Sequence, residues 1–188
     1  MKLICIRHTA GEEDTFYLRP DTALLRNNQP FYYPEFTNEL CGELCLAFRV
    51  CRLGRSIDER FAVRYLDAVG LALLLTAADI RRRCMAQALP CGAAVSFDYS
   101  AALSPEFISL DTLSDWNYEL KVDTMEMPLL PFDFMTITTI VIPMVSQFLT
   151  LKIGDYIFMP VSPEFCLQRG QTVAAYMEDR KLLHLEIR

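Results

Sequence analysis

Three residues at alternate positions, Cys41, Glu43 and Cys45, have the clearest capacity for chemistry in this chain. On an extended strand alternate side chains share a face, so two thiols and a carboxylate would converge there and suit a soft ion such as zinc. A structural zinc site needs a fourth ligand, and the positions of Cys166 and His184 do not indicate convergence. Buried free cysteine usually behaves as a small hydrophobic residue. We therefore predict no metal site, and keep Cys41, Glu43 and Cys45 as the candidates if one exists.

Covalent chemistry at a cysteine is a second possibility, with Cys41, Cys45 and Cys91 as candidates. A cysteine nucleophile needs a neighbouring base or a lowered pKa. The sequence has two histidines, His8 and His184, and neither has an evident partner. These cysteines are therefore predicted to be structural.

General acid–base chemistry could come from His8 and Glu12, which are the right residue types for it. Both lie in the short segment from Arg7 to Thr15, and neither has an evident partner. A solvated turn is therefore the favoured interpretation.

The composition limits the partner and the compartment. A net charge of -6 and a pI near 5.0 provide no basic surface for nucleic acid, and none is predicted. Seven cysteines are an odd number in a chain too large to need a disulfide framework, which indicates reduced thiols and a cytoplasmic location.

The apolar start before Arg7 is too short for a signal peptide. Residues 134–151 carry no charge, but their threonines and a proline favour a buried, partly helical segment over a membrane span.

Short apolar runs separated by turn residues predict a chain made mostly of strands with few helices, an α+β fold that is mostly β. No repeat or linker divides it, so we predict one domain over residues 1–188. Helices are predicted at residues 58–65, 77–88 and 140–149, the second with a capping-box-like start from Thr76 to Asp79. Strands are predicted at residues 3–6, 15–18, 43–50, 68–75, 117–122, 156–159, 172–177 and 182–187.

Several separated motifs resemble the fumarylacetoacetate hydrolase family in order and approximate spacing. They are Arg19-Pro20, the aromatic run at 31–36, the run at 40–46, residues 64–67, residues 70–79, Phe97-Asp98 and residues 151–158. The resemblance implies a mixed, rolled β-sheet or barrel and a homodimer. It also implies a divalent cation, held by two glutamates and an aspartate, that chelates a pair of substrate oxygens. Three such oxygens are what a hard cation prefers.

The resemblance also implies which positions of this chain correspond to that site. The first glutamate falls on Glu43, the second on Cys45 and the aspartate on Leu74, while a substrate-polarising lysine falls on Val95. The family's histidine falls on Cys41. The lid segment that carries the family's water-activating pair is shortened to about residues 7–15. We therefore regard Glu43, Cys45, Leu74 and Val95 as a remnant site and predict no cofactor, with magnesium or manganese as the alternative and zinc as a less favoured one.

The leading hypothesis is a catalytically silent member of this family with a structural or binding role and a homodimeric assembly. The alternative is a metal-dependent hydrolase, decarboxylase or isomerase with an altered site that acts on small oxo-acids of the acylpyruvate kind. A third possibility is a module that binds a small molecule in the apolar remnant of the pocket. A compensating ligand from residues 110–134 is left open.

Overall fold

The computed structural model describes residues 1–7, 14–113 and 116–188. His8, Glu12 and most of the shortened lid segment lie outside these ranges. The candidate acid–base role of His8 and Glu12 and the favoured solvated turn therefore fall outside the described residues.

A nine-stranded sheet forms the larger part of the fold, in the order β2-β1-β10-β4-β5-β6-β3, with β11 paired to β4 and β7 paired to β5. Two pairs, β1 with β10 and β3 with β6, run parallel, and the others are antiparallel. The strands are β1 (Leu3–Arg7), β2 (Thr15–Arg19), β3 (Leu24–Leu25), β4 (Leu40–Val50), β5 (Leu66–Ala77), β6 (Ala101–Leu103), β7 (Ile108–Ser109), β10 (Tyr156–Pro160) and β11 (Phe165–Leu167).

A second sheet contains four antiparallel strands in the order β13-β12-β8-β9. The strands are β8 (Tyr118–Val122), β9 (Met125–Glu126), β12 (Thr172–Met177) and β13 (Arg180–Glu186). Together the two sheets confirm the mostly β fold with a mixed, curled sheet. All eight predicted strands are present, β12 with the predicted bounds and the other seven with shifted ends.

The helices are short. They are α1 (Glu59–Ala62), α2 (Ala78–Ala86), α3 (Gly92–Val95), α4 (Phe134–Thr136) and α5 (Ile142–Phe148), with 3-10 turns at Asp21–Ala23 and Val63–Tyr65. A π-helical turn, Ile137–Val141, joins α4 to α5, and Pro143 lies in the first turn of α5, where its missing N–H is tolerated. Four apolar residues of this uncharged segment, Ile137, Val141, Ile142 and Val145, are fully buried. No helix in the described ranges is long and apolar enough to span a bilayer.

The predicted capping box at α2 is wrong. Ala77 is the N-cap and makes no side-chain cap bond. The Asp79 carboxylate instead accepts hydrogen bonds from the Thr37 hydroxyl and from the backbone N–H of Asn38. Asp79 therefore ties the start of α2 to the segment before β4, a contact between distant residues that a local spacing rule does not detect.

Two apolar clusters lie on opposite faces of the larger sheet. Leu44, Leu46 and Phe48 of β4 face the larger cluster, whereas Cys45 and Ala47 face the smaller one. Strands buried on both faces are expected to be continuously apolar rather than alternating. This explains the apolar runs at residues 44–48 of β4 and 68–75 of β5. The smaller cluster contains two of the remnant-site positions, Cys45 and Leu74.

The turn before β10 is fixed by Asp155, whose side chain is buried. Its carboxylate accepts hydrogen bonds from the backbone N–H of Lys2 at 2.7 Å and of Lys152 at 2.8 Å, and it pairs with the Lys2 ammonium. Gly154 adopts a φ of 84°, which favours glycine. These contacts set the parallel register of β1 against β10 and so hold β1 beside the site face.

Candidate functional site

The pairing of β4 with β5 brings the predicted site residues together. Glu43 lies opposite Leu74 and Cys45 lies opposite Ala72. Because side chains on one strand alternate between faces, Cys41, Glu43 and Cys45 lie on one face, as predicted. Val95 ends α3, a separate element that packs against β5.

Two of these positions are closely packed. Cys45 is 0% exposed and Leu74 is 2% exposed, and both belong to the smaller apolar cluster with Cys5 and Ala72. Burial raises the pKa of the Cys45 thiol well above its usual range, and the nearby Glu43 charge raises it further. Cys45 is therefore a neutral thiol that packs as a small apolar side chain.

Glu43 is the acid on this face, and it is partly buried. Burial raises the pKa of its carboxyl, whereas Arg7, Arg19 and Arg81 act in the opposite direction and Glu164 adds to the rise. Burial is the largest of these influences, so the neutral form of Glu43 is favoured relative to an exposed glutamate.

Glu43→Gln is expected to raise the free energy of unfolding at neutral pH. A carboxyl whose pKa is raised in the folded state contributes stability below its unfolded pKa, and that contribution is lost as pH rises through the folded pKa. The difference between the variant and the parent should therefore grow with pH from about 4 and then level off. Urea unfolding at a series of pH values measures it.

Glu59→Gln, at an exposed position on α1, is the matched control and should change stability by less than about 0.5 kcal/mol at every pH. A Glu43→Gln variant that is less stable than the parent at neutral pH would show that the Glu43 carboxylate is held charged by a partner, against this interpretation.

A buried arginine crosses the same face and was not among the predicted site residues. The Arg19 guanidinium, 2% exposed, donates hydrogen bonds to the carbonyl of Leu75 at 2.9 Å, to that of Ser100 at 2.6 Å and to the Tyr17 hydroxyl at 3.2 Å. Its Nε is buried without a hydrogen-bond partner in the described structure. Arg19 thus places a positive charge beside Cys5, whose pKa burial nevertheless raises to about 11.

Two cavities open beside this face. The first, here called the arginine cavity, has a volume of about 450 Å³. Its lining residues are Arg7, Thr15, Phe16, Tyr17, Leu18, Thr76, Arg81, Met85, Cys91, Gly92, Val95 and Ser96. The second, here called the Glu43 cavity, has a volume of about 340 Å³. Its lining residues are Asp14, Glu43, Leu130, Pro131, Phe132, Asp133, Thr136, Met159 and Pro160.

The predicted remnant positions are thus divided among three surroundings. Val95 lines the arginine cavity, Glu43 lines the Glu43 cavity, and Cys45 and Leu74 lie in the packed cluster. Asp133 lies within residues 110–134, the region from which a compensating ligand had been left open.

The structure corrects the prediction for Cys166. The sequence spacing did not indicate that it converges with Cys41, but β11 pairs with β4 and places the two residues directly opposite each other. Their sulfur atoms are 3.7 Å apart. Among the described residues, Cys41 forms a group with Glu39 and Cys166, and not with Glu43 and Cys45.

The cysteine candidates for nucleophilic chemistry have surroundings that disfavour a thiolate at two of three positions. Burial raises the pKa of Cys41 to about 12, and burial also raises that of Cys45. Cys91 is partly exposed and lines the arginine cavity. His184 lies on β13 of the second sheet, opposite Ala174. These observations disfavour a nucleophilic role for Cys41 and Cys45.

Comparison with known proteins decides the family. The family model described as "Fumarylacetoacetate (FAA) hydrolase C-terminal" matches residues 6–187. The chain belongs to the fumarylacetoacetate hydrolase family. This confirms the resemblance found in the motifs from Arg19 to Phe158.

Curated relatives in this family include enzymes. Oxaloacetate tautomerase FAHD1, mitochondrial, of Bos taurus is 30% identical over 161 residues, which cover 81% of this chain and 70% of that protein. Oxaloacetate tautomerase FAHD2, mitochondrial, of Arabidopsis thaliana is 31% identical over 109 residues, covering 57% of this chain and 49% of that protein.

Solved structures show the same fold. Fumarylpyruvate hydrolase from Pseudomonas aeruginosa, in complex with Mn²⁺ and pyruvate, has a TM-score of 0.88 at 18% identity, covering all of this chain and 89% of that one. A 5-carboxymethyl-2-hydroxymuconate delta-isomerase from Mycobacterium smegmatis has a TM-score of 0.82 at 19% identity, covering 99% of this chain and 78% of that one. At these identities the likeness concerns the fold alone.

Proposed function

We propose that this fumarylacetoacetate hydrolase family member is a binding protein for a small organic carboxylate and is catalytically silent in the family's metal-dependent chemistry. One observation carries the proposal: among the described residues that line the arginine cavity, the charged ones are Arg7 and Arg81, and both are positive. A region with an excess of positive charge attracts anions and repels a divalent cation.

The donor set on the Glu43 face does not fit the hard cation that the family implies. Such a cation takes oxygen ligands, several of them charged. Opposite Glu43 is Leu74, which offers none, and Cys45 offers a neutral, buried thiol. A lone carboxyl with a raised pKa must also lose its proton before it can bind metal, which weakens binding further.

The arginine cavity provides the groups that a carboxylate ligand needs. Arg7 and Arg81 bring guanidinium groups to its wall, Arg81 while paired with Glu164 at 2.5 Å, and Thr76 and Tyr17 are among its other lining residues. Val95, at the position of the family's lysine by resemblance, supplies part of the apolar lining. Small-molecule sites combine apolar walls with a few polar groups in cavities of roughly 300 to 1,000 Å³. A volume of about 450 Å³ suits a small organic acid.

Titration calorimetry with oxaloacetate or pyruvate in the presence of a chelator tests the proposal. We expect saturable binding that needs no metal, and at least a tenfold loss of affinity in Arg81→Ala, because a charge-assisted contact to a carboxylate is worth about 1.5 to 3 kcal/mol. Arg81→Lys keeps the charge and should lose less. Arg83→Ala, an exposed arginine on the same helix, is the control that should bind normally.

Binding that Arg81→Ala leaves unchanged would contradict the arginine cavity as the site. Binding that disappears in the chelator would contradict the metal-free proposal.

A metal-dependent enzyme acting on a small oxo-acid is the second candidate function. The observation that favours it is the Glu43 cavity, whose wall includes the acids Asp14 and Asp133 beside Glu43. The relatives named as oxaloacetate tautomerases also favour it. One observation argues against it. Among the described residues, the side chains whose possible ligand atoms lie within 4.8 Å of one another are those of Glu39, Cys41 and Cys166, and none of the three acids of the Glu43 cavity belongs to this group.

Assembly and compartment follow from the sequence predictions. A homodimer and a cytoplasmic location remain part of the proposal, as do one domain and the absence of a nucleic-acid partner. The names of the matched tautomerases place those proteins in mitochondria, so fractionation of cells expressing this chain is the test of compartment.

A further inference from the structure

We propose that Glu39, Cys41 and Cys166 form a zinc-binding site at the surface end of β4, separate from the arginine cavity and the Glu43 cavity. This inference goes beyond the proposed carboxylate binding and does not depend on it. Neither a family motif nor a local spacing indicates the site, because Cys166 is 125 residues from Cys41 in the chain.

The backbone builds the site as a triangle on one face. Glu39 immediately precedes β4 and lies two residues before Cys41, so their side chains project to the same side of the extended chain. Cys166 lies directly across the β4–β11 ladder from Cys41. One carboxylate oxygen and two sulfurs consequently lie within 4.8 Å of one another.

The distance between the two sulfurs matches a tetrahedral metal. Zinc binds thiolate sulfur at about 2.3 Å, so two sulfurs at neighbouring corners of a tetrahedron stand roughly 3.8 Å apart. The Cys41 and Cys166 sulfurs are 3.7 Å apart. A zinc ion could therefore bind both sulfurs with little movement of the strands, whereas a disulfide would require the sulfurs to approach to about 2.05 Å.

The chemistry of the ligands selects zinc over the family's hard cations. Thiolates are soft ligands that favour zinc, whereas magnesium and calcium require oxygen. Two thiolates and a carboxylate leave a fourth position for water. Cys166 is exposed, and it lines an open surface cavity of about 470 Å³ together with Glu39 and Thr37. Solvent and metal therefore have direct access to Cys166 and Glu39, whereas Cys41 is buried.

An ion pair holds the carboxylate of Glu39 in place. Arg82 of α2 pairs with Glu39. The neighbouring Arg81 on the same helix pairs instead with Glu164 at 2.5 Å. Outer contacts of this kind orient a metal-binding carboxylate without occupying all of its lone pairs. The Arg82 pairing thus pre-positions one ligand toward the two sulfurs.

Cobalt titration of the full, phosphine-reduced chain tests the proposal, because cobalt replaces zinc and its sulfur charge-transfer absorption reports thiolate ligands. We expect one equivalent of cobalt with that absorption, displaced by zinc. Cys166→Ser and Cys41→Ser should each weaken zinc binding at least tenfold, and Glu39→Gln should weaken it to a smaller degree. Cys51→Ser, a partly exposed thiol at a different location, is the control that should bind normally.

Zinc binding that Cys166→Ser leaves unchanged would overturn the proposal, and so would the lack of a sulfur charge-transfer band. Cys166 is exposed, so its serine variant should fold, and circular dichroism would check this. If mass spectrometry shows that Cys41 and Cys166 oxidise to a disulfide while the reduced chain binds no zinc, the pair is a redox pair and the metal site is wrong.

Discussion

Leu74→Asp is expected to lower the free energy of unfolding by about 4 kcal/mol at neutral pH. Leu74 is 2% exposed and lies opposite Glu43, inside the cluster that includes Cys45 and Cys5. The substitution removes buried apolar surface and puts a second acid beside a carboxyl whose pKa burial already raises. Urea unfolding measures the loss. Leu74→Met, of similar volume, is the control and should cost less than about 1.5 kcal/mol.

The loss in Leu74→Asp should shrink as the pH falls. A buried aspartate has a raised pKa in the folded state, so its destabilising effect is present when pH lies above that value and disappears as the carboxyl becomes protonated. A variant as stable as the parent at neutral pH would mean that the position tolerates an acid, as a metal site does. That result would contradict the proposal that close packing around Leu74 is the reason why this protein lacks the family's metal-dependent catalysis.

Arg19→Met is expected to lower the free energy of unfolding by about 3 kcal/mol. The buried guanidinium donates to the carbonyls of Leu75 and Ser100, and methionine would leave both carbonyls without this donor. Removing the guanidinium also removes the cost of burying a charge. The lost hydrogen bonds should outweigh this gain, because each bond to a charged donor is worth roughly 1.5 kcal/mol or more. Thermal and urea unfolding provide the measurement.

Arg19→Lys distinguishes the geometry of the side chain from its charge. Lysine keeps the charge but cannot donate in a planar fork to two carbonyls, so it should recover less than half of the loss. If Arg19→Met proved as stable as the parent, the hydrogen bond from Arg19 to Leu75 of β5 would contribute nothing measurable to stability. Arg26→Met, at an exposed arginine, is the control for an arginine-to-methionine change as such.

Most of the strands could be predicted from the sequence because β4 and β5 contain apolar runs, at residues 44–48 and 68–75, and the others show short runs between turn residues. The strands that were missed are short ones such as β3, β7 and β11, which have two or three residues and no period to detect. Their positions depend on pairing with distant strands. Missing β11 is the reason that Cys166 was separated from Cys41.

The candidate site could be predicted in part. Alternation on β4 correctly placed Cys41, Glu43 and Cys45 on one face, and the resemblance identified Leu74 as their neighbour. Arg19 was noted as a motif residue without a role, since its partners on β5 and before β6 are 56 and 81 residues away. Burial of a charge at such a position depends on the assembled sheet, which residue spacing does not encode.

The rate of oxaloacetate tautomerisation, measured with the purified chain in saturating Mn²⁺ and again in a chelator, tests the central claim most directly. The expected result is that neither the parent nor Glu43→Gln accelerates the reaction over the same buffer, with the same Mn²⁺ or chelator, without protein. An acceleration that requires Mn²⁺ and disappears in Glu43→Gln would contradict the claim, because it would show that Glu43 holds a catalytic cation despite Leu74 and Cys45.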